Sequence, residues 1–310
     1  MQNKVIIMIG CGNMGAAMLR RLLQFSDNIF YVVKPTILPD DLRDNKRVNW
    51  VNNVAQLPHN LQPVMVILAV KPQIMHQVLL DIKVFMDNGG FADSGIVAND
   101  DIGFDATANS LSPNQSSPKI QFCTMAAGLN IGFYHRILGD VSILRIMPNT
   151  PVAIGEGVVN LYGDSKNYGD YEYSGYKKNI ANQLLAPLGQ LIWLEEERMI
   201  DVATAISGSG SAYVYLFMEA LANAATELGI EAELARQMAQ QTVLGAAKLA
   251  TIQPAKSLQQ LQAEVTSKGG TTAAAMQQLQ KNDALKQLIF QAVQAALARA
   301  VELNHDNTMT

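Results

Sequence analysis

Charge is scarce in this chain. Asp, Glu, Lys and Arg make up 16% of its 310 residues, against 49% hydrophobic residues. That balance excludes a wholly disordered chain and a coiled coil, and 22 glycines are too few for a collagen-like repeat. Cysteine is almost absent: Cys11 and Cys123 stand alone, in neither a CxxC pair nor a metal-ligand spacing. A disulfide scaffold is excluded, no metal site is expected, and a reducing compartment suits the chain. Basic clusters are missing too. The 23 Lys and Arg are outnumbered by 27 Asp and Glu, and no basic run is interleaved with aromatics, so nucleic acid is not an expected partner. The apolar runs at 64–70 and 212–218 fall far short of the roughly 18 residues that span a bilayer. No basic stretch with a cleavage site precedes the first apolar strand. These absences predict a soluble cytoplasmic protein with no membrane partner. So little charged surface also suggests that some apolar helix faces are covered by another subunit.

At roughly 150 residues per domain, the length suggests about two domains, and the chain has two textures. In the first, short β-rich runs at 4–9, 29–33, 64–70, 119–124, 143–146, 158–161 and 191–194 alternate with helical patterns. Strands separated by crossover helices make a mostly parallel sheet covered on both faces. From Met199 onward the β signal vanishes, and helical patterns run at 212–228, 233–252, 272–279 and 283–303. The boundary is placed at 197/198, giving an α/β domain of residues 1–197 and an all-α domain of residues 198–310. The helix at 213–228 is apolar almost all round, interrupted by Glu219, Asn223 and Glu227, which predicts an oligomer interface. Residues 86–118 fit neither texture. They hold no basic residue and five aspartates, and read as a solvated surface insertion. Glu195, Glu196 and Glu197 read as a solvated junction between the domains.

The strand at 4–9 runs into Gly10-Cys11-Gly12-Asn13-Met14-Gly15 and then a helix. That placement gives GxGxxG its mechanism. Gly10 makes the tight turn, Gly12 lets a pyrophosphate approach the backbone, and Gly15 allows close helix packing, while the helix start binds the anion. The fold class is therefore a Rossmann-type doubly wound α/β sheet followed by an all-α domain. Where an NAD site needs an acid, the second strand ends in Lys34-Pro35-Thr36, with Asp40 and Asp41 only later. Lys34 and Thr36, supported by Arg43, suit the 2′-phosphate of NADP(H) better than the bare ribose of NAD(H). Further candidates are Ala69-Val70-Lys71-Pro72 and Arg145-Ile146-Met147-Pro148-Asn149-Thr150-Pro151, both after strands. Ser207-Gly208-Ser209-Gly210-Ser211-Ala212-Tyr213 and Val265-Thr266-Ser267-Lys268-Gly269-Gly270-Thr271-Thr272 follow, as turns able to hold a small carboxylate at a helix start. Asn53 joins the cofactor-binding set.

In that order, these motifs identify a resemblance to the pyrroline-5-carboxylate reductases, extending from Ile6 to about Leu303 apart from 86–118. The resemblance implies a Rossmann domain and a helical domain that forms an intertwined homodimer, in some members built into larger rings. It implies hydride transfer from NAD(P)H to the C=N bond of L-1-pyrroline-5-carboxylate, giving L-proline; NADP(H) is the preferred cofactor and NAD(H) an alternative. Gly12, Asn13 and Met14 match the family's pyrophosphate loop, and Lys34 and Thr36 fall where it meets the adenosine ribose. Ala69 and Lys71 match its cofactor contacts, and Asn149 its loop beside the nicotinamide. Ser267, Gly269, Gly270 and Thr272, with Thr271 between them, match the turn that holds the substrate. Ser267 and Thr272 are the catalytic candidates, and Glu219 matches an acid on the first long C-terminal helix.

The chain also departs from the family. Ser211 and Lys268 stand where prolines are usual, and Ala273-Ala274-Ala275 replaces a bulky aliphatic position. Two other readings remain compatible with the residues. One is a related NADPH-dependent imine or 3-hydroxyacid reductase. The other is a catalytically weak NADP(H)-binding paralog, against which the retained Ser267 and Thr272 argue.

Overall fold

The computed structural model describes residues 3–91, 120–163 and 173–306. It divides into two compact units, Met1–Gly208 with Arg299–Thr310, and Ser209–Ala298.

The first unit is built on an eight-stranded sheet in the order β3-β2-β1-β4-β5-β6-β7-β8. Its strands are β1 Val5–Ile9, β2 Ile29–Val33, β3 Val48–Val51, β4 Pro63–Leu68, β5 Gln121–Thr124, β6 Ser142–Pro148, β7 Gly157–Gly163 and β8 Gly189–Trp193. All neighbours pair parallel except β6 and β7. The helices of this unit are α1 Asn13–Phe25, α2 Asp40–Arg43, α3 Pro72–Asp87, α4 Ile131–Leu138, α5 Tyr173–Leu185 and α6 Met199–Ala203.

Alternate residues of each strand face opposite sides of a sheet, so a strand covered on both faces must be apolar throughout. In β1, Ile6 and Met8 join a core with Leu19 and Leu22 of α1 and Leu184 of α5. Ile7 and Ile9 join a second core with Leu79 and Ile82 of α3 and Phe133 of α4. The unbroken apolar runs of β1 and β4 thus follow from burial on both sides. The seven expected strands are all present. The eighth, β3, escapes the pattern because it is a four-residue edge strand, Val48-Asn49-Trp50-Val51, preceded by the polar stretch 43–47. Of the expected insertion, residues 92–118 lie outside the described residues.

The second unit contains α7 Gly210–Glu227, α8 Ala232–Ile252, α9 Leu258–Glu264, α10 Thr271–Leu279 and most of α11 Ala284–Asp306. Helices α7 and α8 pack together as a hairpin. Helix α9 has no counterpart among the expected elements. It is short, and Ser257 and Gln260 start it with a reciprocal capping box. Within the single chain no residue of α7 is buried, and Tyr215, Leu216 and Phe217 are exposed. Among the described residues, no helix is long and apolar enough to cross a membrane.

Candidate functional site

The sheet order reverses at β1, which has β2 on one side and β4 on the other. An open α/β sheet offers a crevice at such a switch point, outside the carboxyl ends of the strands. Three strand ends are joined there: the Gly10 N–H donates to the Val33 carbonyl at 2.8 Å, and the Ala69 N–H to the Ile9 carbonyl at 2.7 Å. The glycines divide the work. Gly10 has φ +87°, and a Cβ on it would stand 2.6 Å from the Ala69 carbonyl oxygen. A Cβ on Gly15 would come within 3.2 Å of Ala69 Cβ, so α1 lies close against the end of β4. Nothing lies within 4 Å of the Cβ position of Gly12. No side chain caps the first turn of α1, so its N–H groups face open space at the positive end of the helix dipole. That arrangement fits a pyrophosphate.

Beside it lies an open cleft of about 700 Å³, whose lining includes Gly12, Asn13, Ala16, Arg20 and Lys34. Lys34 Nζ donates to the Ile37 carbonyl at 3.0 Å. Arg20 is ion-paired with Asp41. Cys11 also lines the cleft, and burial pushes its thiol above the ordinary range, partly offset by Lys34 and Arg20. It stays a small neutral packed group. Thr36 is exposed on the loop after β2 and does not line the cleft. Arg43, expected as support, instead pairs with Asp40 of its own helix and Asp44 just past its end, at 2.8 and 3.2 Å. Asn53, two residues past β3, uses its Oδ1 to accept from the Gln56 N–H at 3.2 Å and so caps a short turn. Sequence reasoning missed Arg20. Its spacing from Asn13 and Ala16, three and then four residues, places all three on one stripe of α1, which is the signal that finds it.

Further along the same edge, Lys71 is the N-cap residue of α3 and Pro72 its first residue, where a missing N–H costs nothing. Asn149 follows β6, and its Oδ1 accepts from the Val158 N–H at 2.8 Å, holding the β6–β7 connection in shape. Behind this loop lies a buried ionic cluster. Arg145 in β6 is 3% exposed, and its Nη1 donates to Glu197 Oε1 at 2.8 Å, with Asp201 Oδ1 4.0 Å from Nη2. The same Glu197 oxygen accepts from the Ile131 N–H at the start of α4 at 2.7 Å. Glu197 is therefore not part of a solvated junction: it neutralises a guanidinium that the sheet has taken out of water.

The Ser207–Tyr213 motif also differs from expectation. Residues Thr204–Gly208 form a π-helical turn continuing α6, and Ser209 is itself in right-handed helical conformation just before α7. The chain arrives already helical, so this segment has no free helix start to bind an anion. Ser207 Oγ donates to the Ala203 carbonyl at 2.9 Å and accepts from Asn160 Nδ2 at 2.7 Å.

In the second unit, Gly269 turns the chain at φ +74° and Gly270 is the N-cap of α10. A Cβ on Gly270 would lie 2.5 Å from Ser267 Oγ, so the Ser267 hydroxyl sits over the helix start. Thr271 and Thr272 are the first two helical residues, and no side chain caps them. Among the described residues, neither the Ser267 nor the Thr272 hydroxyl has a hydrogen-bond partner. A carboxylate suits such a turn. Glu219 is exposed on α7.

Residues 197–303 match the sequence pattern of the pyrroline-5-carboxylate reductase dimerisation family. Along the whole chain, identity to the pyrroline-5-carboxylate reductase of Haemophilus influenzae is 33% over 309 residues, 98% of either protein. The chain belongs to the pyrroline-5-carboxylate reductase family. The Pasteurella multocida reductase is 30% identical over 308 residues, again 98% of each. Among solved structures, the pyrroline-5-carboxylate reductase of Coxiella burnetii matches with a TM-score of 0.78 and 30% identity, covering 97% of this chain and 99% of that one. The Plasmodium falciparum pyrroline carboxylate reductase, solved with NADP bound, matches with a TM-score of 0.73 and 26% identity, covering 98% and 99%. The match, to a family described by its dimerisation, spans α7, whose apolar side chains are exposed within the single chain.

Proposed function

We propose that the protein is a pyrroline-5-carboxylate reductase, converting L-1-pyrroline-5-carboxylate to L-proline with NAD(P)H and supplying proline biosynthesis. The observation that carries this reading is the full-length match to reductases of that name, on a chain whose strand ends build a dinucleotide crevice. The bound cofactor supplies the hydride. Gly12 and the first N–H groups of α1 hold its pyrophosphate, with Asn13, Met14, Ala69, Val70, Lys71 and Asn149 as further contacts. Lys34 meets the 2′-phosphate, which makes NADP(H) the preferred form. The protein works in the cytoplasm as a homodimer joined through helices of the second unit.

A cyclic imine takes hydride at carbon and finishes with a proton on nitrogen. Bound as the protonated iminium, it is already electrophilic and needs no strong general acid. Hydroxyls and backbone N–H groups then suffice, and positioning carries the rate. Ser267 and the N-terminal N–H groups of α10 hold the carboxylate, and the Thr272 hydroxyl accepts from the ring N–H.

NADPH oxidation measured with pyrroline-5-carboxylate, beside piperideine-6-carboxylate, tests the reading. Turnover of the five-membered ring is expected to dominate. Turnover of neither removes the enzymatic reading, and preference for the larger ring reassigns the substrate. Thr272→Ala is expected to lower kcat roughly tenfold or more at unchanged Tm, as for the loss of one hydrogen bond at the reacting centre. Full activity in that variant would defeat the role of Thr272. Lys34→Ala is expected to raise the KM for NADPH about tenfold while leaving that for NADH nearly unchanged. An unaltered preference for NADPH removes Lys34 from the site.

A further inference from the structure

Helix α1 brings a second cation to the adenosine side of the crevice. β2 ends in Val33 and is followed by Lys34, with no acid directly after it, so a ribose 2′-hydroxyl finds no carboxylate at the strand end. The loop that follows offers little to a phosphate either: Thr36 does not line the cleft, and Arg43 is engaged by Asp40 and Asp44. The cations that line the cleft are Lys34 and Arg20. Arg20 starts two turns along α1 from Gly12. A helical side chain leans towards the N-terminus of its own helix, which brings its end back towards the crevice.

The pairing of Arg20 with Asp41 is directional. Nε donates to Oδ2 at 2.6 Å and Nη2 donates to Oδ1 at 2.9 Å, so the carboxylate sits on one edge of the guanidinium. Of the five N–H groups of a guanidinium, this leaves three, on Nη1 and Nη2, forming the other edge of the fork. Those three make no hydrogen bond among the described residues. Asp41 fixes the plane of the fork while its own charge is neutralised, and Arg20 holds the Asp41 carboxyl below its usual range. A planar fork matches two oxygens of a phosphate, whereas Lys34 is a point charge already tied to the Ile37 carbonyl.

We propose that Arg20, set in place by Asp41, reads the 2′-phosphate of NADP(H) in this protein beside Lys34. Selection then comes from the outer stripe of α1 rather than from the loop after β2 alone. The proposal rests on the NADP(H) reading of the crevice.

Calorimetric titration of the ligand-free protein with 2′,5′-ADP and with 5′-AMP tests it without turnover. The wild type is expected to bind 2′,5′-ADP at least tenfold more tightly than 5′-AMP. Arg20→Gln is expected to weaken 2′,5′-ADP roughly tenfold and leave 5′-AMP unchanged. A wild type that does not distinguish the two ligands overturns the NADP(H) preference and the proposal together. A discriminating wild type whose preference survives Arg20→Gln overturns the role of Arg20 alone. Equal loss of both ligands overturns it too, since the damage is then to the cleft and not to phosphate recognition.

Discussion

Glu197→Ala is expected to destabilise the protein by about 3–5 kcal/mol, the usual cost of stripping one partner from a buried ion pair, and to lower Tm by roughly 10 °C. The substitution leaves Arg145, only 3% exposed, with Asp201 Oδ1 at 4.0 Å as its remaining carboxylate neighbour. It also removes the acceptor of the Ile131 N–H at the start of α4, so one carboxylate serves two demands. Urea or thermal unfolding reads the effect. A second substitution separates charge from packing. Arg145→Met added to Glu197→Ala takes away the stranded guanidinium, and an apolar side chain in its place is expected to restore much of the loss. A single-variant cost under about 1 kcal/mol would mean that Asp201 alone neutralises Arg145.

Gly10→Ala is expected to abolish measurable dinucleotide binding, by about a hundredfold or more, and to lower stability as well. The methyl group meets two obstacles. At φ +87° a side chain costs roughly 1–2 kcal/mol. Its Cβ would also stand 2.6 Å from the carbonyl oxygen of Ala69, whose own N–H is bonded to Ile9. Backbone cannot rotate aside as a flexible side chain does, so β1 and β4 must part where the crevice forms. Gly12→Ala is the informative contrast. Its methyl group enters open space in the ligand-free protein, so Tm is expected to hold while the pyrophosphate is excluded. NADPH fluorescence titration and thermal unfolding of both variants check this, and undiminished binding in Gly10→Ala would refute the account of the turn.

What was legible in the sequence follows from how local each signal is. β1, its glycine turn and α1 form one continuous stretch, so their roles can be read before any coordinates. β6 is buried on both faces and shows as an apolar run, although Arg145 interrupts it. The reason for that arginine was not legible, because its partner Glu197 lies 52 residues away in what reads as an acidic run. β3 was hidden for the opposite reason: four residues at a sheet edge are too few to show alternation. The serine-glycine motif at 207–211 misleads because its composition suits a loop, yet the preceding helix α6 and the hydrogen bonds of Ser207 keep the chain wound. Arg20 was within reach, since one helix stripe carries it together with Asn13 and Ala16. Its engagement with Asp41 depends on how α2 packs and could not be read from spacing.

The bare apolar surface of α7 has a consequence for the cell that makes this chain. A helix with no buried residue in its own protomer contributes little burial until a second copy arrives. In the proposed homodimer its stabilisation enters through mass action, rising with the logarithm of chain concentration rather than being a constant of the sequence. The core strands β1 and β4 of the sheet unit, by contrast, are already sealed within one chain. In that assembly the burial of β1 and β4 is set by the sequence alone, while that of α7 answers also to abundance.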